Sequence, residues 1–284
     1  MKLSELLKGL AEYVFVPTCV FCGARLPSRL TDQRAEIVFC EKCAEKYEKA
    51  KEETCAVCNQ PLPTCLCSTD FMKENGLANL VKVFYYRPND EDAVQNALIY
   101  TLKRTKNRRA AEFCAEKLEE SIRLLVPKIE EWTVTYAPRS AKMKRIHGHD
   151  QSELITRNLV DRLSLPLENT LVRDRRAVEQ KRLEREERLR NMRGRYHTKT
   201  GLDLTGKKFL LVDDVVTSGA TMLAAAKALR HAGASRVIGV TVGISYRQVS
   251  AAQRNRMERK YVLKGMKKAH KRRRGTLPPV AVRY

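Results

Sequence analysis

Residues 209–222 read FLLVDDVVTSGATM. The four apolar residues Phe209 to Val212 predict a buried strand. Asp213 and Asp214 follow at its end, then a loop of small residues, Thr217, Ser218, Gly219, Ala220 and Thr221. A helix is predicted from about Met222 to His231, stopped by Gly233. Such a loop turns backbone N–H groups and hydroxyls toward the positive end of a helix dipole, which suits a phosphate. The adjacent carboxylates suit vicinal hydroxyls, or a metal ion those hydroxyls also bind. Phosphate plus diol describes a ribose 5-phosphate. An ordinary polar turn is the plain alternative, but five small residues at a helix start behind two acids argue against it. Receiver domains also carry paired acids on a strand, without this loop directly downstream.

Residues 236–244 (RVIGVTVGI) form the next strand. Strand, helix and strand with short connections predict a parallel sheet, with ligand bound beyond the carboxyl ends of its strands. Upstream, residues 80–87 and 132–137 read as strands. Residues 90–126 read as helix interrupted at the basic run 103–109. Residues 150–164 form a helix with Leu154, Ile155, Leu159, Val160 and Leu163 at helical spacing, ended by Pro166. Residues 171–196 read as a solvated, charge-paired helix or a hinged flap. The expected fold is α/β, a parallel-sheet domain over 78–250 preceded by a small cysteine module over 1–70 and followed by a tail over 251–284.

Eight of the nine cysteines lie within the first 67 residues, in paired spacings. Cys19-x2-Cys22 and Cys40-x2-Cys43 have the spacing of a four-thiolate zinc ribbon. Cys55, Cys58, Cys65 and Cys67 form a second set, closed by a C-x-C pair. Joining Cys19/Cys22 to Cys55/Cys58 is the alternative pairing, and an iron–sulfur cluster the alternative occupant. Thiolate softness favours structural zinc, which so small a module needs in order to fold. Cys114, within a helical stretch, reads as a core residue.

The formal net charge is +22, and half of it lies in residues 251–284, which hold twelve Lys or Arg and one Glu. Such a tail suits nucleic acid or anionic lipid, with a solubilising role or binding to a partner's acidic face as the alternative. No apolar run approaches the length of a membrane span, and MKLSELLKGLAEYVFVP reads as an amphipathic helix with no cleavage site. A cytoplasmic location is expected.

The 209–222 stretch resembles the phosphoribosyl pyrophosphate (PRPP) signature of type I phosphoribosyltransferases. With the cysteine module, residues 5–245 resemble the ComF family, which joins a double zinc ribbon to a phosphoribosyltransferase-like domain. Residues 99–103 (IYTLK) and 134–138 (VTYAP) are similar to family motifs, as are the spaced Leu171-Val172-Arg173, Gln180, Arg188, Asn191 and Gly194. Where the family has Arg-Gly-Phe-Asn-Gln, this chain has His147-Gly148-His149-Asp150-Gln151, and the basic tail lies beyond the family pattern.

The resemblance implies PRPP bound with Mg²⁺, Asp213 and Asp214 on the ribose hydroxyls, residues 217–221 on the 5-phosphate, and Arg139 and Ser140 on the pyrophosphate side. It also implies a role near natural competence, in handling single-stranded DNA during uptake beside competence-machinery proteins. The rival readings are a non-enzymatic nucleic-acid-binding protein reusing the fold, a PRPP-sensing regulator, and an amidophosphoribosyltransferase-like metabolic enzyme. His147 and His149 are candidate bases, although two histidines in a basic loop read more readily as surface residues.

Overall fold

A computed structural model describes residues 16–27, 37–88, 90–174 and 196–245. The expected N-terminal helix lies almost wholly outside these residues, as do the arginine-rich segment 175–195 and the basic tail. The chain divides into two compact units, Met1–Ser245 and Tyr246–Tyr284, and every described residue belongs to the first.

The centre of this unit is a four-stranded, wholly parallel sheet. Its strands are β1 (Leu80–Tyr86), β2 (Trp132–Tyr136), β5 (Lys208–Val216) and β6 (Arg236–Ser245), in the order β1-β6-β5-β2. All are buried along most of their length, as a sheet covered on both faces requires. Side chains alternate between the two faces. Leu210, Val212, Ile238, Val240 and Val242 enter one apolar cluster with helices α3 (Val94–Arg104), α4 (Arg108–Leu125) and α6 (Gln151–Leu163). Phe209, Leu211, Val237 and Ile244 enter the other, with α7 (Ala220–His231) and the short α2 (Asp70–Glu74).

The break between α3 and α4 falls at the basic run, where Thr105 is extended and Asn107 caps α4 by accepting the Ala110 N–H at 2.9 Å. Cys114 is 1% exposed within the core. Helix α6 ends before Pro166 can act on it, because Ser164 takes a left-handed conformation with φ 56°. One expectation is corrected and one helix is added. Residues 171–173 are not helix: they form β3 (Leu171–Arg173), antiparallel to β4 (Tyr196–Thr198). A further helix, α5 (Ala141–His147), follows β2, capped by the Ser140 hydroxyl accepting the Met143 N–H at 3.3 Å.

The cysteine-rich segment packs onto the sheet domain. Helix α1 (Glu41–Lys51) buries Cys43, Tyr47 and Ala50 on one face, with Glu41 and Lys51 placed to suit its dipole. Tyr47 meets Phe39, Phe113 and Phe84 at ring-centroid distances of 5.3, 5.2 and 6.2 Å, joining this segment to α4 and β1. Among the described residues no helix is long and apolar enough to cross a membrane.

Candidate functional site

Strand β5 carries the paired acids, but it does not stop before them. The ladder continues through Asp213, paired with Thr241, to Val216, so both carboxylates lie inside the strand. The expectation of a strand ending at Val212 is corrected, and the physical reason is burial with partners. Asp213 accepts the Ser152 hydroxyl at 3.0 Å and the Asp214 N–H at 2.9 Å. Asp214 accepts the Val215 N–H at 2.8 Å and the Gln151 amide at 3.4 Å, with the Lys103 ammonium 3.6 Å away. Lys103 also lies over the Tyr86 ring, 5.6 Å from its centroid. These contacts hold two adjacent acids where water would otherwise be needed.

Thr217 and Ser218 form the turn, Gly219 takes φ 81° at the helix cap, and α7 starts at Ala220, two residues before the expected Met222. Thr217 is exposed, Ser218 and Thr221 are half-buried, and Gly219 and Ala220 are buried. Gly219 offers no capping side chain, and among the leading amides of α7 the Ala220 N–H donates to the Ser218 hydroxyl at 3.4 Å. The neighbour of Gly219 is unexpected. A Cβ there would meet the Met72 side chain of α2 at 2.4 Å.

Asp150 organises the opposite wall. It caps α6 through the N–H groups of Ser152 and Glu153, and it accepts the Arg139 N–H at 2.8 Å, tying the exit of β2 to this helix. Burial pushes its carboxyl above the usual carboxylate range, against the pull of those amides. The Nη1 of Arg139 and Oε1 of Gln151 are buried with no hydrogen-bond partner among the described residues. Ser140 is spent on its helix cap.

His149 is 6% exposed, which overturns its reading as a surface residue. Its ring bridges the carbonyls of His147 and Leu102 at 2.8 and 2.7 Å. Gln151, Ser152 and Lys103 belong to the carboxylate cluster although motif reading of the acids alone does not find them. For Gln151 and Ser152 the signal in the chain is the Asp150-x-x-Glu153 capping pattern, which sets the start of α6, and Lys103 closes the IYTLK run.

Burial, and then the neighbouring Asp214 carboxylate, push Asp213 well above the ordinary carboxylate range, with the Ser152 hydroxyl opposing. A raised folded value means that ionising Asp213 costs stability. Its contribution is complete below about pH 3.9, the unfolded value, and is lost as pH rises through the folded value. Asp213→Asn is therefore expected to raise the thermal midpoint of the ligand-free protein at pH 7 and to give no gain near pH 3. Thermal melts of both proteins at the two pH values check this. An equal loss at both would show that the carboxylate is stabilising as it stands.

The cysteines gather into two clusters, Cys19/Cys22/Cys40/Cys43 and Cys55/Cys58/Cys65/Cys67, with the four sulfurs of each within 4.8 Å of one another. The pairing is thus sequential, not interleaved. No cysteine among the described residues is in a disulfide. A tetrahedron with Zn–S bonds of about 2.3 Å has edges near 3.8 Å, and each set has the donors and spacing to hold such an ion. The residue after the first C-x2-C pair of each cluster is left-handed, Gly23 with φ 74° and Asn59 with φ 63°, whereas Ala44 after Cys43 lies in α1. The two knuckles share this turn, which glycine and asparagine adopt most readily.

Local contacts favour thiolate at Cys19 and Cys65, while burial raises Cys43 and Cys67 and the contact with Cys65 raises Cys55 to about 12. Burial raises Cys19, but the backbone N–H groups of Cys22, Cys40 and Phe21 bring it down to about 7. In the second cluster Cys65 is held below the usual thiol range, chiefly by its contact with Cys55, helped by the Cys67 N–H and Lys82.

A model of the phosphoribosyl transferase domain matches residues 150–271, from the cap of α6 onward. Among solved structures, the chain is similar to the glutamine PRPP amidotransferase from B. subtilis complexed with ADP and GMP. That match has 20% identity over 49% of this chain, with a TM-score of 0.30, and spans 26% of the amidotransferase chain. It is also similar to the protein TT1426 from Thermus thermophilus, at 19% identity over 52% of this chain and 87% of that one, with a TM-score of 0.30. No match was found among curated proteins. The chain thus joins a cysteine-rich module of zinc-ribbon type to a parallel-sheet α/β domain that is phosphoribosyltransferase-like.

Proposed function

We propose that the protein binds PRPP, or a related ribose 5-phosphate, at the carboxyl end of β5, and that it is a ComF-like protein of the cytoplasm acting in competence-related handling of single-stranded DNA. The observation that carries the binding reading is the sequence of buried strand, paired acids, small-residue loop and α7 within the span matched by the phosphoribosyl transferase model.

In this reading Thr217, Ser218 and Thr221 supply hydroxyls, and the first amides of α7 supply N–H donors, to the 5-phosphate. Asp213 and Asp214 accept from the ribose hydroxyls, while Ser152, Gln151 and Lys103 hold them in place. The unpartnered Nη1 of Arg139 is a donor for the pyrophosphate side. Mg²⁺ bound with PRPP would neutralise pyrophosphate charge, and the same two aspartates are the carboxylates available to it. The chain's contribution to any transfer would be positioning and charge stabilisation.

The tail of residues 251–284 favours a second reading, a nucleic-acid-binding protein that reuses the fold without turnover. The amidophosphoribosyltransferase-like enzyme reading shares the PRPP site and differs in its nitrogen acceptor. One paired experiment separates these. Calorimetry with PRPP and Mg²⁺ is expected to show saturable binding below millimolar concentration. Titration with single-stranded DNA at two salt concentrations is expected to show affinity that falls with salt, and less steeply after removal of residues 251–284. No PRPP binding at millimolar ligand, with DNA binding intact, would put the second reading first.

A further inference from the structure

Lys82 lies in the middle of β1 and is 1% exposed, among the largest fully buried side chains of the protein. Among the described residues its ammonium meets no carboxylate. It donates instead to the Cys67 carbonyl at 2.8 Å, the Cys65 carbonyl at 3.0 Å and the Cys65 sulfur at 3.2 Å, with the Leu80 carbonyl at 3.4 Å. A buried ammonium satisfied only by neutral carbonyls and a neutral thiol would carry an uncompensated charge, which burial strongly disfavours. Four thiolates around a divalent ion sum to two negative charges, and a lysine against one of those sulfurs halves the excess.

Side chains of β1 and of Arg87 just past its end are built toward the same loop. The Tyr85 hydroxyl accepts the Ala56 N–H at 3.3 Å, and Arg87 pairs with Glu53 at 2.7 Å. The backbone of Leu80 donates to Leu66 at 2.9 Å. One strand of the sheet thus contacts the second cysteine loop at both ends.

We propose that Lys82 is the built-in counter-charge of the Cys55/Cys58/Cys65/Cys67 cluster. It sets that cluster's affinity for a divalent, thiolate-bound metal and makes metal loading and docking of the loop on the sheet a single event. Lys82 is not a ligand; it acts through Cys65 and the carbonyls that shape the C-x-C turn, as outer partners of metal ligands do. The first cluster, within the same chain, is the internal reference.

Lys82→Met removes the charge at similar length, and Lys82→Arg keeps it. Zinc content, competition against a chromophoric chelator, and mapping of alkylated cysteines by mass spectrometry read each cluster separately. The Met variant is expected to bind zinc about 10–100-fold more weakly at the second cluster, with the first unchanged, while the Arg variant stays close to wild type. A second reading comes from stability. The rise in thermal midpoint on zinc loading is expected to shrink in the Met variant, and the metal-free Met variant is expected to be no less stable than metal-free wild type. Equal loss of zinc in both variants, or loss in neither, would overturn the proposal. If the Met variant does not fold in zinc-containing medium and the Arg variant does, the charge is required, as proposed. If neither folds, Lys82 serves packing and the proposal fails.

Discussion

Stripping the metal with a strong chelator is expected to melt the second cysteine loop while leaving the sheet folded. The buried apolar cluster of that loop consists of Cys55, Leu62 and Cys65, and two of these belong to the four-cysteine set that could hold a metal. So small a core cannot repay the ordering of a dozen residues, at about 1–2 kcal/mol each. Structural zinc supplies an apparent free energy of roughly 10–16 kcal/mol in comparable small modules, so about that much of the loop's order rests on the ion. The first cluster differs, because Cys19 and Cys43 lie in the same large apolar cluster as Tyr47 and the sheet. Its loss should therefore loosen the ligands without releasing α1. Elemental analysis of protein purified without chelator is expected to find zinc. After chelation, alkylation should label Cys55, Cys58, Cys65 and Cys67 first. Cys40→Ser should remove one site, whereas Cys114→Ser, far from both clusters in sequence and bound to no metal set, should cost only the burial of a hydroxyl, about 1–3 kcal/mol. Metal-free protein with full structure and slow alkylation would refute the metal assignment.

Gly219→Val is expected to lose about 3 kcal/mol or more of stability and to abolish ribose-phosphate binding with it. Two effects add. The residue has φ 81°, a conformation that costs an L residue about 1–2 kcal/mol, and more when β-branched. Its Cβ would also lie 2.4 Å from Cγ and 2.5 Å from Sδ of Met72, which is fully buried and cannot swing into solvent. Overpacking of this kind costs about 1–3 kcal/mol. Met72→Ala opens that space, so the double variant should recover the packing part and not the backbone part. Chemical denaturation of the wild type, both single variants and the double variant measures the two parts. A cost below about 1 kcal/mol, less than the backbone part alone, would show that the loop and α2 part freely. Sequence reading assigns this glycine to the approach of a phosphate. In the structure Gly219 lies against Met72, which makes the segment leaving the second cysteine cluster a support of the 217–221 loop.

Local features are what the chain sequence determined by itself. The apolar runs Phe209–Val212 and Val237–Val240 are strands wherever they are buried, and the small residues after Asp214 must turn. The C-x2-C knuckles need only a few residues and a left-handed turn at Gly23 and Asn59, so the donor sets are legible from spacing. Which knuckles share an ion, however, depends on how the segments fold back, and only the tertiary structure pairs Cys19/Cys22 with Cys40/Cys43.

The same holds at the site. Two adjacent acids read as the end of a strand, because in isolation they call for water. Ser152 and Gln151, more than sixty residues away, replace that water and let β5 run on to Val216. His149 reads as a surface residue until the carbonyls of His147 and Leu102 close around its ring. Lys82 reads as an ordinary polar strand residue until the second cysteine loop covers it. Each of these groups is polar and buried, and the cost of burying it is offset in part by a partner distant in sequence. Periodicity and spacing report the cost; only the fold supplies the partner.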